Sequence, residues 1–212
     1  MFYTILESNC AEITEKKSKF ICNIFHIESV QEAETIIAQI RKKYHDARHN
    51  CYAYRIANGD LYKSSDDGEP SGTAGVPILN ILNGKNLSNV LVIVTRYFGG
   101  ILLGTGGLVR AYSLATTEAI DSSKLTLMEV GLQACFDIEY KDLNEVKYHL
   151  SNIGVEVVDL VYEEKIKVTI EGEEGRILKI EENGLSERVG IEDFKVLGKK
   201  YVRVPENRWR HP

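Results

Sequence analysis

The sequence predicts an α+β fold in two domains, and three observations predict it. Segments that alternate apolar and polar residues, as strands do, are interleaved with segments whose apolar residues recur at helical spacing. The second half runs strand, helix, strand, strand, helix, strand, which is the split βαβ arrangement of ferredoxin-like domains. The halves also differ in charge. Residues 1–130 hold 13 basic and 14 acidic side chains, a net of −1, whereas residues 131–212 hold 13 and 17, a net of −4. The boundary falls in the stretch Ser122 to Glu129, giving domains 1–127 and 128–212.

The first domain opens with two strands, Phe2 to Ile13 and Lys19 to Ile27, joined by the polar turn Thr14-Glu15-Lys16-Lys17-Ser18. Ser29-Val30-Gln31-Glu32 is a capping-box pattern, in which the serine hydroxyl takes the Glu32 amide while Glu32 reaches back. The helix it opens places Ala33, Ile36, Ile37 and Ile40 on one face and runs to about Tyr44. Cys51 to Ile56 reads as a strand, and Asn58-Gly59 as the hairpin turn into Leu61 to Lys63. A short helix from Val76 to Asn83 follows a polar loop. Val90 to Val94 is continuously apolar, as a strand covered on both faces must be. A further helix runs from Thr105 or Gly106 to about Ile120.

In the second domain Val130 to Tyr140 alternates, and Asp142-Leu143-Asn144-Glu145 repeats the capping-box pattern before a helix to about Asn152. Strands Val155 to Tyr162 and Lys165 to Glu171 meet at Glu163-Glu164. A helix from Glu173 to Asn183 and a strand from Phe194 to Arg203 complete the order.

Composition narrows the function. The 212 residues are 43% hydrophobic and 27% charged with a net charge of −5, which excludes a disordered chain and a polybasic coat for nucleic acid. No apolar run approaches the roughly 18 residues of a membrane span. The first twenty residues lack a basic region followed by an apolar one, so no signal peptide is read there and the expected location is the cytoplasm. Cys10, Cys22, Cys51 and Cys135 contain no CxxC pair, which speaks against a zinc ribbon or a redox dithiol.

Four segments carry residues suited to chemistry. In VTRYFGGILLGTGGLVRAYS, residues 94–113, a strand ends at Arg96, and Gly99, Gly100, Gly104, Gly106 and Gly107 precede a helix. Free amides at the helix start, with Arg96 and Arg110, would suit an anion or a phosphate. The Walker lysine is missing, however, and close helix–sheet packing explains the glycines equally well. In SSDDGEPSGTAGVPIL, residues 64–79, Asp66, Asp67 and Glu69 would suit Mg²⁺ or acid–base work, but the same residue types are ordinary turn formers. In DARHNCYAYRI, residues 46–56, His49 and Cys51 share one strand face, which permits a nucleophilic pair without any signature for it. The last fourteen residues add Lys199, Lys200, Arg203, Arg208 and Arg210, interleaved with Tyr201 and Trp209, suited to RNA unless the terminus is simply solvated.

The strings DARHNCYAY, DDGEPSGTAGVPIL and RYFGGILLGTGGLVRAYS, with SKFI at residues 18–21, resemble the Impact family, most closely its bacterial YigZ/YvyE-type branch. The resemblance extends over essentially the whole chain. It implies an N-terminal domain similar to domain IV of elongation factor G, with a left-handed βαβ crossover, and a ferredoxin-like C-terminal domain similar to domain V of that factor. Eukaryotic members are regulators of translation that interfere with activation of an amino-acid-starvation kinase; for the bacterial branch the resemblance brings no established catalytic activity, which leaves the question of an enzyme open and leaning to no, and no cofactor is expected.

These readings together give a translation-associated regulatory or binding protein that contacts RNA, the ribosome or a translation regulator. The expected binding residues are His49, Asn50, Asp66, Asp67, Glu69, Arg96, Gly99, Gly100, Gly104, Gly106, Gly107 and Arg110, with no metal. The alternative is an enzyme acting on an anionic or phosphorylated small molecule at the glycine-rich loop.

Overall fold

The computed structural model describes residues 1–185 and 189–205. The basic tail residues Arg208 and Arg210, with Trp209, lie outside the described residues. The chain divides into two compact units, Phe2–Thr126 and, with Met1, Leu127–Pro212. Among the described residues no helix is long and apolar enough to cross a membrane.

The first unit contains β1 (Phe2–Ile5), β2 (Asn9–Glu15), β3 (Ser18–His26), α1 (Val30–Lys43), β4 (His49–Ile56), β5 (Leu61–Ser65), α2 (Gly75–Gly84), β6 (Val90–Tyr97) and α3 (Thr105–Asp121). Its sheet has the order β2-β3-β6-β4-β5 with antiparallel neighbours throughout. The central strand β6 is buried on both faces, as its unbroken apolar run predicts. Val90, Val92 and Val94 pack with Ile78 and Leu82 of α2 and Leu108, Ala111 and Tyr112 of α3. Leu91 and Ile93 face α1 through Ala33, Ile37 and Ile40.

The first strands differ from the sequence reading, and the strand expected from Val130 begins at Leu125. The expected first strand is two strands, because alternation fails at Leu6-Glu7-Ser8. There β1 leaves the sheet, with Tyr3 N bonded to Asn86 O at 2.9 Å and Ser88 N to Tyr3 O at 2.9 Å. Glu15 pairs directly with Ser18, so the β2–β3 turn is only Lys16-Lys17. Both lysines have positive φ, 45° and 65°, as a two-residue type I′ turn demands. Side chains other than Gly, Asn and Asp adopt this region at a cost of roughly 1–2 kcal/mol per residue.

At α1 the capping box forms with a shift of one residue. Ser29 Oγ accepts from Glu32 N at 3.2 Å, while Glu32 Oε2 accepts from Glu28 N rather than from Ser29.

The second unit contains β7 (Leu125–Ile138), a 3-10 turn (Tyr140–Asp142), α4 (Leu143–Asn152), β8 (Glu156–Tyr162), β9 (Ile166–Gly172), α5 (Glu174–Asn183) and β10 (Glu192–Arg203). Its own strands lie in the order β10-β7-β9-β8, all antiparallel, as a split βαβ unit requires. Phe136, Ile138, Val168 and Ile170 form its core with Val146 and Leu150 of α4 and Ile177 of α5. The second capping box is not formed. Asp142 is helical and caps nothing, because the 3-10 turn already leads the chain into α4, and Glu145 instead faces His149 one turn on at 3.6 Å.

Candidate functional site

The phase of two strands decides which side chains meet. On β6, Arg96 follows Val92 and Val94 on the same face, so the arginine enters the layer beneath α2 and α3. His49 sits opposite Arg96 in the β4–β6 register, and Cys51 follows His49 on that face. Arg96 is only 7% exposed, and a guanidinium buried so deeply needs a carboxylate. Glu69, from the loop after β5, supplies it: Glu69 Oε1 accepts from Arg96 Nη1 at 2.6 Å and from Tyr112 OH at 2.8 Å. Phe20 and Phe98 flank the guanidinium at 5.5 and 5.7 Å, and among the described residues Arg96 Nε has no hydrogen-bond partner.

The neighbouring groups are bound just as closely. His49 Nδ1 donates to the Asp67 carbonyl at 2.8 Å, which leaves Nε2 facing Glu69 Oε2 at 4.0 Å. The Cys51 thiol lies 2.9 Å from the Asp66 carbonyl and 3.3 Å from Tyr112 OH. Burial, first of all, pushes that thiol up to about 12, and the carboxylates of Glu69, Asp67 and Asp66 add to this against the Tyr112 hydrogen bond. Burial, then Cys51 and Glu69, raise Tyr112 as well. The thiol is turned to the Asp66 carbonyl and Tyr112 while His49 is turned to Asp67 and Glu69, so each of the two side chains has other partners.

Asp66 and Asp67 have separate tasks. Asp66 closes the start of α2, its Oδ1 accepting from Ala74 N at 2.9 Å and Gly75 N at 2.8 Å, and its Oδ2 from Gly72 N at 2.8 Å. Burial alone would raise its pKa, but the amides of Gly72, Gly75 and Ala74 outweigh it and hold the carboxyl below its ordinary range. Asp67 accepts from Asn50 N at 2.7 Å and Arg41 Nη2 at 2.5 Å, while Asn50 Oδ1 accepts from Thr95 Oγ1 at 2.7 Å. The carboxylates of Asp66, Asp67 and Glu69, which suit Mg²⁺ by residue type, are each spent on a different partner. Among the described residues no group of three His, Cys, Asp or Glu is placed to hold a metal.

The glycine-rich loop divides by function. A Cβ on Gly99 would lie 2.0 Å from the Lys17 carbonyl carbon, and Gly99 N donates to Ser18 Oγ at 3.1 Å, so this glycine seats the loop on the β2–β3 turn. Gly104, with φ of 73°, caps α3 through its carbonyl to Leu108 N at 2.9 Å. Gly106 and Gly107 form the first turn of α3, and Gly100 lies at the exposed crest. Arg110 is exposed on α3 whereas Arg96 is buried on Glu69, so the expected phosphate fork of two arginines is not made. The structure therefore brings together His49, Asn50, Asp66, Asp67, Glu69 and Arg96, and leaves Arg110 outside that cluster. Sequence reading passed over Tyr112 as one more residue of the α3 core face; the signal was its hydroxyl, which when buried requires a partner. Also passed over was the exposed apolar crest, Phe98 at 46%, Ile101 at 43% and Leu102 at 82%.

Comparison with known proteins places this geometry. Residues 16–120, which hold every residue of the cluster, match the Impact N-terminal domain. IMPACT family member YvyE of Bacillus subtilis is 46% identical over 121 residues, a stretch spanning 57% of this chain and 56% of that protein. IMPACT family member YigZ of Escherichia coli is 37% identical over 155 residues, 70% of this chain and 74% of that protein. The crystal structure of a hypothetical protein superposes with a TM-score of 0.61 at 26% identity, covering 90% of this chain and 96% of that one. With identity and coverage of this order, the chain belongs to the IMPACT family.

Proposed function

We propose that this chain is a translation-associated regulatory protein of the cytoplasm that acts by binding RNA, the ribosome or a translation regulator, and not by catalysis. Family membership supports the translational part. The observation that carries the binding part is the contrast between the two layers of the site. Below, Arg96, Glu69, Tyr112 and Cys51 are joined in a buried network, while Asp66 holds the start of α2 and Asp67 the amide of Asn50. Above, Phe98, Ile101 and Leu102 stand in solvent on a glycine-rich loop beside the exposed Arg110. A buried network of this kind holds a loop in place, and an exposed apolar crest on a rigid base is what a partner contacts. The expected likeness of the two units to domains IV and V of elongation factor G, left-handed crossover included, belongs to this reading and favours a ribosomal setting.

Co-sedimentation with purified bacterial ribosomes at moderate salt tests the reading. The wild-type chain is expected in the pellet, and a Leu102→Asp, Arg110→Glu variant in the supernatant. If the wild type itself stays in the supernatant, the translational reading fails.

A further inference from the structure

The hairpin turn Lys16-Lys17 is an outlier that folding does not explain. Two-residue turns of this kind favour Asn-Gly, whose residues enter positive φ readily, yet here two lysines are held there at 45° and 65°. Strained backbone of this sort marks places where the side chain matters more than local stability. Both lysines are exposed, and among the described residues neither has an ion-pair partner. Gly99 rests on the Lys17 backbone, so the lysines are fixed against the loop that carries Phe98, Ile101 and Leu102.

Beside this contact lies a recess of about 200 Å³ lined by Ile13, Glu15, Lys16, Leu103, Gly107, Arg110, Ala111 and Leu114. Its apolar walls are Ile13, Leu103, Ala111 and Leu114, the last 49% exposed. Lys16 and Arg110 stand at the rim with Glu15 as the one opposing charge, and Lys17 adds a third cation next to it. A recess of this size takes one aliphatic or aromatic side chain. Cations around an apolar floor select a partner that is both acidic and apolar. Two of the three crest residues, Ile101 and Leu102, are aliphatic and only Phe98 is aromatic, whereas sites for single-stranded RNA stack successive bases on several aromatic rings.

We infer that the turn Lys16-Lys17, the crest Phe98–Leu102 and the recess beside Arg110 form one docking surface for an acidic polypeptide segment that inserts an apolar side chain. This rests on the proposed reading of the glycine-rich loop as a binding face and specifies the partner as polypeptide.

Selection of short random peptides by display against the full chain tests it, with a random-sequence RNA oligonucleotide offered in parallel. The selected peptides are expected to be net acidic with one or more Leu, Ile, Met or Phe. Their binding should weaken by about tenfold or more in a Lys16→Glu, Lys17→Glu variant and in Leu114→Asp. It should be unchanged in Lys42→Glu, a control on α1 across the sheet, and circular dichroism should show all variants folded. No enrichment, enriched peptides indifferent to the charge reversal, or RNA bound in preference to peptide each overturns the inference. The ribosome experiment separates the two claims. A chain that selects acidic peptides through these residues but never pellets keeps this surface and loses the translational reading. A chain that pellets equally well with Lys16, Lys17 and Leu114 replaced keeps that reading and loses this surface.

Discussion

Arg96 shows how one residue can be both a liability and an anchor. Its position continues a valine-rich layer, so β6 would place an aliphatic side chain there were it not for Glu69 arriving from the loop. Removing one partner of such a pair leaves a buried charge uncompensated, which costs roughly 3–5 kcal/mol, whereas replacing both by apolar side chains is often close to neutral. Glu69→Ala should therefore lower the urea midpoint severely, and Glu69→Leu with Arg96→Met should recover part of the loss. Recovery stays incomplete because Tyr112 loses its acceptor, a further penalty of roughly 1–3 kcal/mol. A double variant as unstable as the single one would show that the charge itself is required.

The cysteines give a second test at this scale. Cys10 is exposed, while Cys22 and Cys51 are fully buried, and burial raises both buried thiols. Cys10 should be alkylated at once at neutral pH, and Cys22 and Cys51 only as the chain unfolds, as peptide mass spectrometry would record. Because the Cys51 thiol is raised in the folded state, the stability it contributes is complete below the unfolded thiol range and declines as pH rises from about 9 toward 12.

Among the elements, α2 depends on a cap from outside its own sequence neighbourhood. Its N-cap is Ala74, which offers no side-chain acceptor, and Asp66 serves instead with three amide hydrogen bonds. Asp66→Ala should cost about 0.5–2 kcal/mol, the usual value of a lost cap. The carboxyl is held below its ordinary value in the folded chain, so its contribution is complete above about pH 4 and is lost as pH falls through the lowered value. An acid titration of stability should thus be flatter for Asp66→Ala than for the wild type. The hairpin is the opposite case: Lys16→Asn with Lys17→Gly should raise stability by about 1 kcal/mol while weakening partner binding, a trade of activity against stability readable by thermal unfolding and peptide titration.

These elements also show what the sequence discloses. The two-faced burial of β6 was legible from its unbroken run of aliphatics, and the capping serine of α1 from its spacing. The site was legible as residue types but not as connections. Glu69 lies 27 positions from Arg96, and Ser18 lies 81 from Gly99, so no local pattern records that they touch. Asp66, Asp67 and Glu69 looked like ligands because carboxylates in a glycine-rich loop suit a metal, an amide or a guanidinium alike, and only the fold assigns each its partner.

At the scale of the molecule, the division into units places the charge sharply. Residues 1–126 hold 13 basic and 13 acidic side chains, and residues 127–212 hold 13 and 18, so the whole excess of −5 belongs to the second unit. An acidic partner that binds at Lys16, Lys17 and Arg110 is drawn to a chain whose first unit is neutral and whose excess negative charge lies wholly in the second. Each unit has its own core, so a chain ending at Thr126 should fold and keep its near-ultraviolet circular dichroism. That fragment should bind acidic peptides more tightly than the full chain at low ionic strength, where charges act over about 30 Å at 0.01 M. The two affinities should converge near 1 M salt, where the range shrinks to about 3 Å. Titrations of both chains at low and high salt measure this. Equal affinities at low salt would mean that the second unit's charge does not reach the docking surface.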